Sequence, residues 1–384
     1  MRQDAAASFQ IGEITLTPYI TGAERLEALL ALIDGARSSL RLFYYIFAKD
    51  DSGRAVRDAL IEASRRGVRV SLTVDGFGSP AADAFLTPLR EAGADVCLFL
   101  PRFGRRYLLR NHQKMALADE ERALIGGFNV ADDYFANDGR RHWRDLGLGV
   151  EGGAVKRLVG YYDALAAWSR KPHGRLRQLR RTLGRWSDQA GQVRWLMGGP
   201  TRRLNPWARA VKTDLRKARR LDMISAYFVP GPIMLGRIAA VGRRGDANVM
   251  TAAKSDSEVT IAAARHSYHR LLKHKVRIWE YRPARLHTKL LILDDAVYIG
   301  SANFDMRSLY LNLELMLRVE DKAFADHMRA YAENERQYAQ AITPQLHRRR
   351  RTWFARLRWS IAYFLVGVLD SGVTRRLNFG RGWR

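Results

Sequence analysis

The chain has 384 residues, 47% hydrophobic and 27% charged, ordinary figures for globular protein and enough for packed cores in two domains. Lys and Arg number 65 against 39 Asp and Glu, and the formal charge of +26 predicts an anionic partner, either nucleic acid or acidic phospholipid. A single cysteine, Cys97, excludes an intramolecular disulfide and fits a reducing compartment, and no stretch reaches the roughly 20 apolar residues that cross a bilayer. The start, Met1-Arg2-Gln3-Asp4-Ala5, carries an early acid and no unbroken apolar run, so it reads as a poor secretory signal. Residues 359–369 come nearest to a span and are too short. The chain is expected to be soluble or bound to a surface.

In chain order, the aromatic and β-branched run 41–47 predicts a buried strand, and Asp50-Asp51-Ser52-Gly53 supplies turn and cap chemistry. Val56, Ala59, Leu60 and Ala63 recur at helical spacing, with Gly67 as a stop. A strand over 68–74, a helix over 86–92 and a strand over 96–100 follow, which makes a β/α series. The second half repeats the order: strand 223–228, helix 233–241, strand 248–252, helix 259–272, strand 276–279. Gly67 and Gly245 are 178 residues apart, and His112 and His287 are 175 apart. A near-constant offset marks an internal duplication. The prediction is two similar α/β halves, 14–168 and 201–345, joined by a basic linker over 169–200.

Each half carries the same pattern. Asn111-His112-Gln113-Lys114 runs to Asp119, then to Gly126-Gly127-Phe128-Asn129; Leu286-His287-Thr288-Lys289 runs to Asp294, then to Gly300-Ser301-Ala302-Asn303. On a strand, a His and a Lys two residues apart share a face. Histidine changes charge near neutral pH, shuttles protons and can attack phosphorus. If the halves pack face to face, two His, two Lys and two Asn converge on one pocket suited to a phosphodiester. One His displaces an alcohol and becomes phosphohistidine, while the other protonates the leaving oxygen and activates the acceptor. Lys114, Lys289 and the Asn amides supply the stabilisation a metal would otherwise give, so neither metal nor cofactor is expected. The spacing of His266 and His269 suggests half a metal site, but no ligand stands at matching spacing.

The pair resembles the two signature motifs of the phospholipase D superfamily. Residues 45–47 with 75–79, 225–230, and 300–309 running on to Asn312-Leu313-Glu314 are similar to its bacterial cardiolipin synthase branch. The resemblance covers about residues 14–345, and without an N-terminal transmembrane pair it is nearest the B-type synthases. It implies two phospholipase D-like halves, each a mixed sheet flanked by helices, packed as a pseudo-two-fold pair. The catalytic set it implies is His112, Lys114, His287 and Lys289 with Asp119 and Asp294. His112 would be the nucleophile, His287 the acid and base, and the two motif aspartates buttresses. Asn129, Asn303 and Ser301 would bind the phosphoryl group. Asp145, 33 residues after His112, and Glu314, 27 after His287, would orient the imidazole of their own motif. Ser301 can donate a hydrogen bond that Gly127 cannot.

Segment 346–384 interleaves cations with aromatics over 347–359 and is mostly apolar over 361–369. That pattern suits an anionic membrane surface, or a helix docked on the core. The arginines over 170–185 suggest a further anionic contact. The expected function is phosphatidyl transfer to phosphatidylglycerol, peripheral to the cytoplasmic face of the cell membrane. Its rivals are a phospholipase or nuclease that hydrolyses lipid or nucleic-acid diesters, which +26 also suits, and a catalytically idle binding protein.

Overall fold

The computed structural model describes residues 7–99, 109–137, 142–171, 175–201 and 203–370, with 368–370 as backbone only. The expectations for 1–6 and 371–384 lie outside the described residues. The first half runs β1 (Phe9–Ile11), β2 (Ile14–Tyr19), α1 (Gly22–Asp34), β3 (Ser39–Tyr44), α2 (Asp51–Arg65), β4 (Arg69–Asp75), α3 (Ala82–Phe85), α4 (Thr87–Glu91) and β5 (Asp95–Phe99). It continues with β6 (Met115–Ala118), β7 (Arg122–Gly126), α5 (Asp132–Phe135), β8 (Trp143–Arg144), β9 (Gly147–Glu151) and α6 (Val155–Arg170). After α7 (Leu176–Trp186) come β10 (Val193–Gly198), α8 (Pro206–Lys217), β11 (Arg220–Ser225), β12 (Phe228–Val229), α9 (Pro232–Arg244), β13 (Asp246–Ala252), α10 (Glu258–Lys273) and β14 (Arg277–Tyr281). The remainder is β15 (Arg285–Leu286), β16 (Lys289–Leu293), β17 (Ala296–Gly300), β18 (Phe304–Asp305), α11 (Met306–Tyr310), β19 (Glu314–Glu320), α12 (Lys322–Gln337), β20 (Ala339–Ala341), α13 (Pro344–Arg350) and α14 (Trp353–Tyr363).

Two eight-stranded mixed sheets result, in the orders β1-β2-β9-β7-β6-β3-β4-β5 and β10-β19-β17-β16-β11-β13-β14-β20. Seven consecutive strands match position for position, with the extra strand on opposite edges. In each half the three strands that follow β/α crossovers are parallel, and the motif strand lies antiparallel beside the first of them. The second half therefore begins at β10, six residues in register with β19, rather than at residue 201. Val193–Gly198 is the counterpart of β2, and the turn at Gly198-Gly199-Pro200 follows this strand instead of marking a boundary.

Local chemistry explains the segment ends. Asp50 caps α2 by accepting from Gly53 N at 2.8 Å, and Gly67 ends it with φ +86°. Gly245, its partner by offset, has extended φ (−164°). There a Cβ would lie 1.9 Å from the Arg219 carbonyl oxygen, so glycine is needed for close approach rather than for conformation.

The two sheets share a core. Met115 and Leu117 on β6 pack in one cluster with Leu290 and Ile292 on β16, whereas the alternate residues Ala116, Ala118, Leu291 and Leu293 face each half's own helices. This period-two division makes the motif strands central to both layers. The linker is largely α7, whose buried Leu179 and Leu183 join the shared core. At the C-terminus Trp359 and Ala362 of α14 pack on Ala262 and Ala263 of α10 and on Val229. Trp353, Phe354, Leu357, Ile361, Phe364 and Leu365 remain exposed, so the helix docks by one face and presents an apolar other. Among the described residues, no helix is long and apolar enough to cross a membrane.

Candidate active site

The motif histidines sit where the halves are stitched together. His112 N donates to Leu313 O at 3.0 Å and Leu313 N to Arg110 O at 2.9 Å. On the other side β15 pairs with β8, and His287 N donates to Arg144 O at 2.8 Å. The next residue after each stitch is a buried carboxylate, Glu314 or Asp145. The local backbone thus dictates a crossed arrangement: His112 Nδ1 lies 3.1 Å from Glu314 Oε2, and His287 Nδ1 lies 2.6 Å from Asp145 Oδ2. Each imidazole is held by the other half, not by the carboxylate of its own motif as the family resemblance implied. With Nδ1 bound to a carboxylate, Nε2 is left for the pocket in both rings.

A cavity of about 370 Å³ opens above the pair. Tyr45, Ile46, Phe77, Arg110, His112, Asn129 and Tyr134 line it from the first half, and Tyr227, Asp256, His287, Asn303, Asp305, Arg307 and Asn312 from the second. The lysines lie beneath. Lys114 Nζ donates to His112 O at 2.6 Å and Lys289 Nζ to His287 O, and both are buried. Their charges reach the pocket from below, through its floor.

Other residues named from the sequence fall elsewhere. Asp119 and Asp294, included in the catalytic set, sit at the far end of their strands, with φ of +52° and +51°. Asp119 accepts from the amides of Arg37, Ser38 and Ser39, and Asp294 from those of Arg219 and Arg220. They tie the motif hairpin to the strand beside it and do not join the pocket. Ser301 does not line the pocket either: its hydroxyl donates to Glu314 Oε2 at 2.5 Å, and Ser308 donates to Oε1 at 2.8 Å. At Gly127 a Cβ would lie 2.4 Å from Asp145 Oδ1, so the shorter carboxylate leaves no room for a matching serine. Asn129 and Asn303 do line the cavity, but Asn129 Oδ1 already accepts from Ile46 N at 3.1 Å. His266 stacks on Tyr363 and His269 faces His347, at the α10–C-terminal helix contact rather than in the pocket.

Burial and the neighbouring lysines hold both motif histidines below their ordinary pKa, His287 at about 3. Burial likewise depresses Lys114 strongly and Lys289 to about 8. Burial raises Asp145 and Glu314, but their histidine partners and the lysines outweigh it and keep both ionised. These shifts favour the neutral form of both imidazoles. A phosphodiester between them adds the negative charge that restores a proton to one.

The His287 shift makes stability depend on pH. Below about pH 6.5 the unfolded chain protonates this histidine and the folded one resists down to about 3, so folding loses free energy across that window. Urea midpoints should fall steadily from pH 7 to pH 4, and His287→Gln should flatten part of that fall; an unchanged slope would place His287 outside the buried charge cluster.

Residues 29–142 and 211–336 match the family described as cardiolipin synthase, PLD-like domain. The chain belongs to that family. It is 30% identical over 340 residues to cardiolipin synthase 1 of Bacillus cereus, covering 83% of this chain and 66% of the relative. It is 29% identical over 337 residues to cardiolipin synthase A of Pseudomonas putida, covering 85% and 69%. The chain spans 60–66% of the length of its Bacillus and Geobacillus relatives. The fold is that of a phosphatidylserine synthase from Haemophilus influenzae Rd KW20, with a TM-score of 0.71, 12% identity and 97% of each chain covered.

The sequence reading did not assign several of the wall residues to the site. Arg110 stands beside the first motif, and Asp305, Arg307 and Asn312 stand in stretches already singled out for their resemblance. Their adjacency to the motifs was the available signal. Tyr227 lies in the similar stretch 225–230, whereas Asp256, which accepts its hydrogen bond, carries no motif.

Proposed function

We propose that the chain is a phosphatidyltransferase that forms cardiolipin by moving a phosphatidyl group to the glycerol hydroxyl of phosphatidylglycerol. The observation that carries this reading is the pair of crossed histidine–carboxylate contacts at one cavity in a member of the cardiolipin synthase family. His112 Nε2 attacks phosphorus, the P–O bond to the leaving alcohol breaks, and that oxygen takes the proton from His287 Nε2. The acceptor hydroxyl then gives its proton to His287 as its oxygen bonds to phosphorus, and the P–N bond to His112 breaks. The shorter contact, His287 to Asp145, supports His287 as the ring that carries the imidazolium charge. The Asn129 and Asn303 amides and the lysine charges below stabilise the phosphoryl oxygens.

The exposed apolar face of α14, with Arg356 and Arg358 on the same helix, would rest on an anionic membrane at its cytoplasmic surface. Tyr363 donates to Pro230 O at 2.9 Å, next to the β12–β18 pair that carries Asp305, so the end of α14 is anchored beside a strand pair that contributes to the cavity. The mechanism is tested by rapid quench with radiolabelled phosphatidylglycerol. An acid-labile, base-stable label on wild type that is lost in His112→Ala supports it, and a label unaffected by that substitution contradicts it.

A further inference from the structure

The cavity has a nearly symmetric floor and two unlike walls. The first half contributes Tyr45, Ile46, Phe77 and Tyr134, with the Arg110 guanidinium 3.9 Å from the centre of the Phe77 ring. The second half contributes Asp256, Asp305, Asn303 and Asn312, with Tyr227 and Arg307 beside them. Each wall has an arginine and at least one tyrosine, but the first is the more aromatic, and the second carries both carboxylates and two of the three asparagines.

Two of those acceptors lack a donor. Asn303 Oδ1 and Asn312 Oδ1 have no hydrogen-bond partner, although the two residues are only 4% and 9% exposed. The carboxylates beside them are partly used. Asp256 accepts from Tyr227 and, at 2.8 Å, from Ser255, while Asp305 accepts from Ser308 N at 2.9 Å as the cap of α11. A carboxylate offers about four acceptor positions, so both retain capacity. Buried acceptors without donors are unfavourable until a donor arrives. A phosphodiester cannot be that donor, because it brings only acceptor oxygens. A molecule with several hydroxyls can.

We propose that the wall formed by Asn303, Asp305, Asn312 and Asp256 is a subsite for a polyhydroxy alcohol such as a glycerol headgroup, held both as leaving group and as acceptor. The aromatic wall then faces the diacylglycerol side of the phosphate, with Arg110 near its oxygens. This rests on the phosphatidyltransfer reading and gives it a direction: the pseudo-symmetric centre works between a lipid side and an alcohol side. It also accounts for transfer over hydrolysis, since an alcohol that satisfies several acceptors at once outcompetes water for the same phosphohistidine.

The test uses vesicles containing phosphatidyl-p-nitrophenol, a donor whose leaving group has no hydroxyls to recognise, with equal concentrations of glycerol and 1-propanol as acceptors. Nitrophenolate release reads the first step, and mass spectrometry reads the ratio of phosphatidylglycerol to phosphatidylpropanol. Wild type should favour glycerol at least about tenfold, the effect of matching otherwise unpaired acceptors. Asn312→Leu and Asp256→Asn should keep nitrophenolate release within about threefold while the ratio falls about tenfold. The ratio is internal to each sample, so partial misfolding does not move it. A wild-type ratio near one, or a ratio unchanged in both variants while nitrophenolate is released, overturns the subsite and leaves the transferase reading standing. No turnover of this donor or of phosphatidylglycerol by wild type overturns both.

Discussion

Replacing His112 by alanine is expected to lower phosphatidyl transfer by roughly four orders of magnitude, because the proposed nucleophile is removed and water has no comparable route to the phosphorus. His287→Ala should cost a similar factor on phosphatidylglycerol, whose glycerol leaves poorly without a proton. The double variant should be little worse than either single one, since the two rings act as one unit. The leaving group separates the roles. With p-nitrophenol, which departs without protonation, His287→Ala should still release one equivalent of nitrophenolate, whereas His112→Ala should release none. A burst in His112→Ala and none in His287→Ala would reverse the assignment.

The second large effect comes from the crossed carboxylates. Glu314→Gln and Asp145→Asn should each reduce transfer by about 10²–10⁴, the range expected when the group that orients and charges an imidazole is neutralised in place. Because Glu314 faces His112 at 3.1 Å and Asp145 faces His287 at 2.6 Å, the defects should follow the contact and not the sequence. Glu314→Gln should slow the nitrophenolate burst, and Asp145→Asn should leave the burst and stall the later transfer to alcohol. Burst kinetics with the same vesicle donor decide this; the opposite assignment of defects would mean that each carboxylate serves the histidine of its own half. Melting temperatures should accompany the rates, because Glu314→Gln also disturbs the serine hydroxyls bound to it.

The period-two motif strands, the repeated strand and helix order and the offset of the two histidines were legible because they are local or recur. Leu290 and Ile292 against Leu291 and Leu293 divide between two cores as alternation requires. What was not legible depends on contacts between distant segments. The His112–Glu314 and His287–Asp145 pairs join residues 202 and 142 apart, and only the backbone stitches at Leu313 and Arg144 select them over the nearer pairing. Lys114 and Lys289 share a side with their histidines, but nothing in the spacing says that their ammoniums turn to the histidine carbonyls instead of the cavity. Ser301 was read as a donor, correctly, yet its acceptor is Glu314, a residue whose approach the sequence does not encode. The strand at Val193–Gly198 was hidden because glycine and proline directly after it resemble a boundary.

The central claim is that one cavity, built by both halves, transfers phosphatidyl groups between alcohols. It is tested most directly by incubating the purified chain with phosphatidylglycerol vesicles and analysing the lipids by mass spectrometry. The account predicts cardiolipin and free glycerol in equal amounts, with neither formed by His112→Ala; phosphatidic acid as the sole product, or cleavage of DNA with no lipid turnover, would contradict it.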